Sequence, residues 1–385
     1  MRYASAAATL VVAAFFCFPL SAQQAPARTK QVITVRPVVR RYSVDTTTVT
    51  ERSLGLGYSL SSGRTRLRLS GAPLGFTDGT TSIQGVTPPE LALDVRLRKL
   101  DTMRVFIRGP SVPGSLTTRQ VSALGSVGTA TLDLESAAIG TPAVFGIRDA
   151  FAAPVGSAIL GLRLGLEVEP RPGGTDSVYW RGTTVRAGAS VTGFAGEFRI
   201  TGGFDFAASF GDSLSGRNLF PGGGSFSLRA DASGLVGSGA TLANLLAFYF
   251  RPLGLNRPIQ ANRLNPTGAF MGATAGLLVP AGDVFVEPTL SLSRESSNAT
   301  ITPFAPGQGL RLTGTGWTLA GSLGVDVPLG RHLSFAPEAG FVGGSIHSNA
   351  YLFPTANRNV QGIPTASFAD PVSGWWAALE VSASF

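Results

Sequence analysis

Cysteine is nearly missing from this chain: Cys17 is the single one in 385 residues. One thiol closes no intrachain disulfide and builds no thiolate metal site, so stability has to come from elsewhere. Phe15 and Phe16 precede it, where a lipid-attachment signal needs small residues. Histidine is almost as scarce, with only His332 and His347, which leaves little for acid–base or metal chemistry. Charged residues make up 14% of the chain while hydrophobic residues reach 44%. Such a composition raises the question of membrane helices, yet after residue 20 no stretch approaches the ~18 consecutive apolar residues that a spanning helix needs. Strands cross a membrane with alternation alone. The 49 glycines suit close strands and tight turns and argue against helices.

What is present begins with "MRYASAAATLVVAAFFCFPLSAQQ". A charge at Arg2, an apolar run from Ala6 to Leu20 and "LSA" before Gln23 have the layout of a secretory signal peptide, residues 1–22, cleaved after Ala22. A retained spanning helix is disfavoured because the run falls short of about 20 residues. Residues 23–385 are then read as one barrel. The formal charge of +8 would suggest nucleic acid as a partner if the arginines were clustered. They are spread singly through strand-like segments, and no nucleic-acid partner is expected.

Two segments show the pattern most clearly. In "AILGLRLGLEVEP", Leu160, Leu162, Leu164, Leu166 and Val168 alternate with Gly161, Arg163, Gly165, Glu167 and Glu169. A helix would bring Arg163 and Glu167 onto its apolar face. In "EFRITGGFDFAASF", Phe198, Ile200, Phe204, Phe206 and Phe210 alternate with Arg199, Thr201, Asp205 and Ser209. Similar stretches occur at 31–42, 47–61, 64–76, 141–152, 183–195, 224–234, 241–252, 268–279, 283–295, 311–327, 331–344 and 374–385. The expected fold is all-β: a transmembrane antiparallel up-and-down β-barrel of about 14 strands, within roughly 12 to 16. Short connections alternate with long ones, which sets periplasmic turns against extracellular loops. "NAYLFPTANRNVQGIPTASFADPVS" and "SSNATITPFAPGQGL" are read as long outer loops. The longest outer connection, 77–140, contains "LALDVRLRKLDTMRVFIRG", where an extra hairpin would add two strands and keep the number even. "SLTTRQVSALGSVG" in the same stretch reads as a short capped helix from Thr117 or Thr118.

The chain ends "GWWAALEVSASF", with Trp375, Ala377, Leu379, Val381, Ala383 and Phe385 on one face of a two-residue period. This end resembles the C-terminal assembly signal of Gram-negative outer-membrane β-barrel proteins, with Leu379, Val381 and Phe385 as the matching residues; Ala383 stands where that family often has a large aromatic. The resemblance implies export to the outer membrane, its lipid as surroundings and the barrel-insertion machinery as a partner. "GLGYSLSSGRTRLRLSG" and "LLVPAGDVFVEPTLSLS" resemble strand–turn–strand units of hydrophobic-compound transporters of the fatty-acid-uptake type.

Catalysis is not expected. His332 falls in an inner turn, and His347 beside Ser345 and Ser348 shows adjacency without the geometry of a triad. A TonB-coupled transporter, suggested by "QVITVRPV", needs about 22 strands and a plug, for which the chain is too short. The lumen is where charge collects. Arg163, Arg186, Arg199 and Arg229, with Arg64, Arg66 and Arg68, fall on inward positions, joined by Arg96, Arg98, Arg104 and Arg108 if the extra hairpin exists. Glu167, Glu169, Asp205, Asp231, Glu287, Asp326, Glu338 and Glu380 oppose them. These charges either pair across strands or form a polarised constriction, and pairing is favoured for most of them. The expected function is passive passage of small-molecule solutes, hydrophobic ones among them, with no cofactor and no metal. The alternative is a structural or surface-interaction barrel with a closed lumen and partner-binding loops.

Overall fold

The computed structural model describes residues 29–112, 143–169, 179–180, 182–210, 213–214, 217–218, 224–237, 241–253, 269–305, 308–354 and 363–385. The expected signal peptide 1–22 and the expected helix near Thr117 lie outside them. The sheet opens with β1 (Lys30–Val44), β2 (Thr47–Ser62) and β3 (Thr65–Gly71). A short hairpin, β4 (Pro73–Thr77) and β5 (Ser82–Val86), leads to β6 (Glu90–Arg98) and β7 (Asp101–Arg108). Next come β8 (Val144–Val155), β9 (Ala158–Val168), β10 (Tyr179–Trp180), β11 (Thr183–Ala195) and β12 (Phe198–Phe210). After β13 (Ser213–Leu214) and β14 (Arg217–Asn218) follow β15 (Gly224–Val236), β16 (Thr241–Leu253) and β17 (Phe270–Ala281). The last four strands, β18 (Val284–Ala305), β19 (Gln308–Leu329), β20 (Leu333–Pro354) and β21 (Ile363–Ser384), are 22 residues each. β10, β13 and β14 form a small separate sheet.

Every neighbouring pair in the large sheet is antiparallel, and β1 pairs with both β2 and β21, so the sheet closes on itself. The ring runs β1, β2, β3, β6, β7, β8, β9, β11, β12, β15, β16, β17, β18, β19, β20, β21. It is therefore a closed barrel of 16 strands. The expectation of about 14 is corrected by β6 and β7, the hairpin inside the long connection. Closure leaves no edge strand, the condition for β-structure to sit in lipid.

The β4–β5 hairpin is an outward extension of the wall. β4 continues the pairing of β3 with β2 in unbroken register, from Leu56↔Gly71 to Thr50↔Thr77. Between β5 and β6, residues Thr87, Pro88 and Pro89 shift the register by one, from Pro73↔Val86 to Ser70↔Glu90. A one-residue shift exchanges the two faces, so odd residues of β5 and even residues of β6 point inward. At the hairpin tip Asp78 accepts hydrogen bonds from the Thr80 and Thr81 backbone N–H groups at 2.9 and 2.6 Å. Desolvation works against its ionisation, but these bonds hold its carboxyl below the ordinary value.

Two further corrections concern the outer connections. The stretches read as loops at 296–310 and 349–373 are largely strand, pairing as Ser297↔Gly314 and Asn349↔Ser367. At the inner end, positive-φ glycines such as Gly156 and Gly282 make tight turns. Arg64, expected on a strand face, lies in the Gly63–Arg64 turn.

Candidate functional site

The two-residue period divides each strand between a belt and a lumen. On β9, Leu160, Leu162, Leu164 and Leu166 are exposed on the outside, and on β12 so are Ile200, Phe204, Phe206 and Phe210. The register pairs Arg163 with Gly188 and Arg186 with Gly165, then Gly188 with Asp205 and Gly203 with Arg229. Arg163, Arg186, Arg199 and Arg229 therefore lie on one inner wall, on the consecutive strands β9, β11, β12 and β15, together with Glu167, Asp205 and Asp231.

Most of these charges are paired. Glu167 accepts from Arg186 Nε at 2.8 Å and from Arg148 Nη2 at 2.5 Å. Arg163 meets Asp205 at 3.1 Å, and Arg229 meets Asp231 at 3.6 Å. For Arg199 no ion pair is found among the described residues. The chain of pairs continues on the added hairpin: Arg68 to Asp94 at 2.5 Å, Arg104 to Glu90, and Arg108 to Glu90 at 2.8 Å. The guanidinium carbons of Arg104, Arg108 and Arg148 surround the buried Phe106 ring at 5.8, 5.7 and 4.9 Å from its centre, within the range of cation–π attraction. Phe106 lies over Gly146, its cross-strand partner, and a Cβ there would collide with the ring.

Phe106, Arg148 and Glu90 were not singled out from sequence, and Asp94 enters only as part of the alternation in the extra hairpin. The strand itself is expected at 141–152, and alternation in "VFGIRDAF" places Phe145 and Ile147 outside and Arg148 inside, but Asp149 then falls on the outer face and blurs which face is the lumen. The basic wall borders a cleft of about 530 Å³ that Arg104, Arg148, Arg163, Arg186, Asp205 and Phe250 line.

Eight strands further round the ring the charge is reversed. Glu287, Asp326, Glu338 and Glu380 line a second cleft of about 350 Å³ with Arg36, which reaches Glu338 at 3.2 Å. β7, β8, β9 and β11 stand opposite β18, β19, β20 and β21 in a 16-membered ring, so the two walls face each other across the lumen. In the outer half the arc from β20 through β1 to β5 is apolar inside, with Tyr42, Val49, Leu74, Phe76, Ile83 and Val342 buried together. Beside it the buried Arg40 and Glu51 pair at 2.9 Å. Inward aromatics also occur on β16 and β17, where the Phe248 and Phe270 rings lie 5.0 Å apart.

Leu379 and Val381 lie on the outward face of β21, and Phe385 is exposed at its end. The terminal backbone closes the ring: Gln31 N–H donates to Phe385 O at 3.0 Å and Phe385 N–H to Gln31 O at 2.9 Å. His332 Nδ1 lies 2.8 Å from Ser384 O in the inner turn. His347 is on the outward face of β20, where among the described residues its side-chain hydrogen-bond contact is a long one of 3.4 Å to Ser345.

No family model matches the chain, and no curated protein matches it. Among solved structures it is similar to the outer-membrane protein OprD of Pseudomonas aeruginosa, at 8% identity over 95% of this chain and 96% of that one, with a TM-score of 0.44. OccK3 of the same organism aligns at 14% identity over 93% and 95%, TM-score 0.43. The outer-membrane protein OmpT of Vibrio cholerae, in its trimer form, aligns at 10% identity over 93% and 99%, TM-score 0.40. At such scores the likenesses carry no part of the reading, which stands on the closed sheet and its two faces.

Proposed function

We propose that the chain is a passive outer-membrane channel for small solutes, with an arginine wall that favours anionic groups. One observation carries this: paired but half-exposed arginines line a cleft inside a barrel whose outside is apolar. Arg148, Arg163 and Arg186 side chains keep 41%, 43% and 38% of their surface accessible while bonded to carboxylates. Donors held in place by acids yet open to solvent can replace part of an anion's hydration shell without binding it so tightly that it stays. The acidic wall opposite adds a field across the lumen, which favours solutes carrying separated charge or an orientable dipole. Phe250 beside the basic cleft offers a contact for an apolar portion of the solute; this is the narrower support for the hydrophobic solutes expected from sequence.

The second reading, a closed barrel acting through its loops, has its own observation in the buried apolar layer around Phe76 and Ile83, which fills one side of the outer half. Planar-bilayer recording of the refolded full chain decides between them. Discrete, repeated conductance steps are expected of a channel; persistent silence from protein shown to be folded and inserted would favour the closed barrel.

A further inference from the structure

The outward face carries a charge pattern that a passive channel does not need. On β1 the outward run Val35, Pro37, Val39 gives way to Arg41, and on β2 the run Leu60, Tyr58, Leu56, Leu54 gives way to Arg52. On β16 Leu245, Ala247 and Tyr249 are followed by Arg251, and on β18 Leu290 and Leu292 by Arg294. In all four strands the first charged outward residue beyond the apolar belt, at the end away from the chain terminus, is an exposed arginine. Two of the four have a tryptophan as direct cross-strand neighbour: Arg41 faces Trp375 and Arg294 faces Trp317. Both tryptophans are exposed. Aromatic residues at this position mark the headgroup level of a membrane.

Arg41 and Arg52 are the tightest group. The pairs Arg41↔Thr50 and Arg52↔Val39 make them diagonal neighbours on one face, about 7–8 Å apart and somewhat closer at Cβ. Two unneutralised guanidiniums at that distance repel each other unless an anion sits between them. Among the described residues the outward acids on the strands are Asp101, at the inner end of β7, and Asp149, near the middle of β8. No ion pair of Arg41, Arg52, Arg251 or Arg294 is found among the described residues. On these four strands the outer edge of the belt is therefore basic, with no outward acid paired to it among the described residues.

We infer that Arg41 and Arg52 form a binding site for the phosphate groups of a phosphorylated glycolipid of the outer leaflet, with Trp375 against its sugar or upper acyl region. A guanidinium binds phosphate bidentately and remains charged at every relevant pH. Two of them on adjacent strands can hold one phosphate between them, while the lipid chains lie along Val39, Leu54 and Leu56 below. The inference rests on the outer-membrane location and orientation proposed above, but not on an open lumen.

The test is lipid retention by the folded full chain in nonionic detergent, followed by native mass spectrometry during titration with bis-phosphorylated lipid A. The expected result is saturable binding that falls by about tenfold in the Arg41→Gln/Arg52→Gln variant. It should be unchanged in Arg331→Gln, which removes one charge from an inner turn. Lipid A stripped of its phosphates should bind weakly, and inorganic phosphate should not compete at equal concentration. Equal binding of the stripped lipid, an unaffected double variant, or an equal loss in Arg331→Gln would overturn the site. Efficient competition by inorganic phosphate would overturn the lipid as its source. Location is read separately, by membrane fractionation, so a protein found outside the outer membrane would fail that reading and not the lipid assay. Folding of each variant is checked by heat-modifiable mobility in detergent gels.

Discussion

At Gly146 the absence of a side chain decides how the lumen is built. The Phe106 ring occupies the space a Cβ would take, and the same arrangement recurs where Trp376 lies over Gly340 and Tyr42 over Gly374. A large ring laid flat over a neighbouring glycine covers exposed backbone and leaves the ring's face to others. At Phe106 that face meets three guanidiniums: Glu90 holds those of Arg104 and Arg108 and Glu167 that of Arg148. The ring is thus a platform that spaces like charges. Gly146→Val should lift the ring and cost about 1–3 kcal/mol, as overpacking does. Urea unfolding in detergent micelles measures it, and an unchanged midpoint would show that the ring has room to move. Half-exposed ion pairs such as Arg163–Asp205 contribute little to stability by themselves; their role lies in where they fix charge.

Elements with strict alternation were legible in the sequence, and those with a register fault were not. β9 and β12 declare both faces, because leucines or phenylalanines alternate with glycine and charge over their whole length. β6 and β7 are harder: the shift at 87–89 and the irregularity between Arg96 and Arg98 change which parity faces inward. The alternation in "LALDVRLRKLDTMRVFIRG" shows this hairpin as an option, but a period-2 reading does not carry it through such faults, so the expected number stays at about 14 with 16 as the upper end of its range. β18 to β21 were cut short for another reason. The outer portions of β18, β20 and β21 contain the prolines Pro303, Pro354, Pro364 and Pro371, so they read as loops although the strands continue to pair. The inner arginines of β9, β11, β12 and β15 were legible for the same reason as the strands. Their acid partners Glu167, Asp205 and Asp231 were legible with them; Arg148, which shares Glu167 with Arg186, was not, since its strand carries Asp149 on the outer face. The strand directions make a direct prediction. In a Cys17→Ser background, a cysteine at Thr46, in the outer β1–β2 turn, should react with a membrane-impermeant maleimide on intact cells. One at Arg331, in the inner turn before β20, should react only after lysis. Labelling of the Arg331 position on intact cells would reverse the orientation.

At the scale of the whole molecule, a ring of 16 strands places a basic wall and an acidic wall on opposite sides of one lumen, with the outer half of one arc filled by apolar side chains. The larger of the two clefts borders the arginines, so in the proposed channel solutes would pass along the basic wall. Inside a low-dielectric barrel such charges act on the water column more strongly than on an open surface, although salt limits their reach to about 10 Å at 0.1 M. The central claim is therefore a conducting lumen with a modest preference for anions, set by the paired, half-exposed arginines of the basic wall together with Arg199, for which no ion pair is found among the described residues. The most direct measurement is the zero-current potential of the bilayer-inserted protein across a tenfold KCl gradient. The wild-type protein should show the sign of chloride preference, and Arg186→Gln/Arg199→Gln should move the potential toward potassium with conductance retained. A potassium-selective wild-type channel, or a conducting double variant with an unchanged potential, would contradict the account.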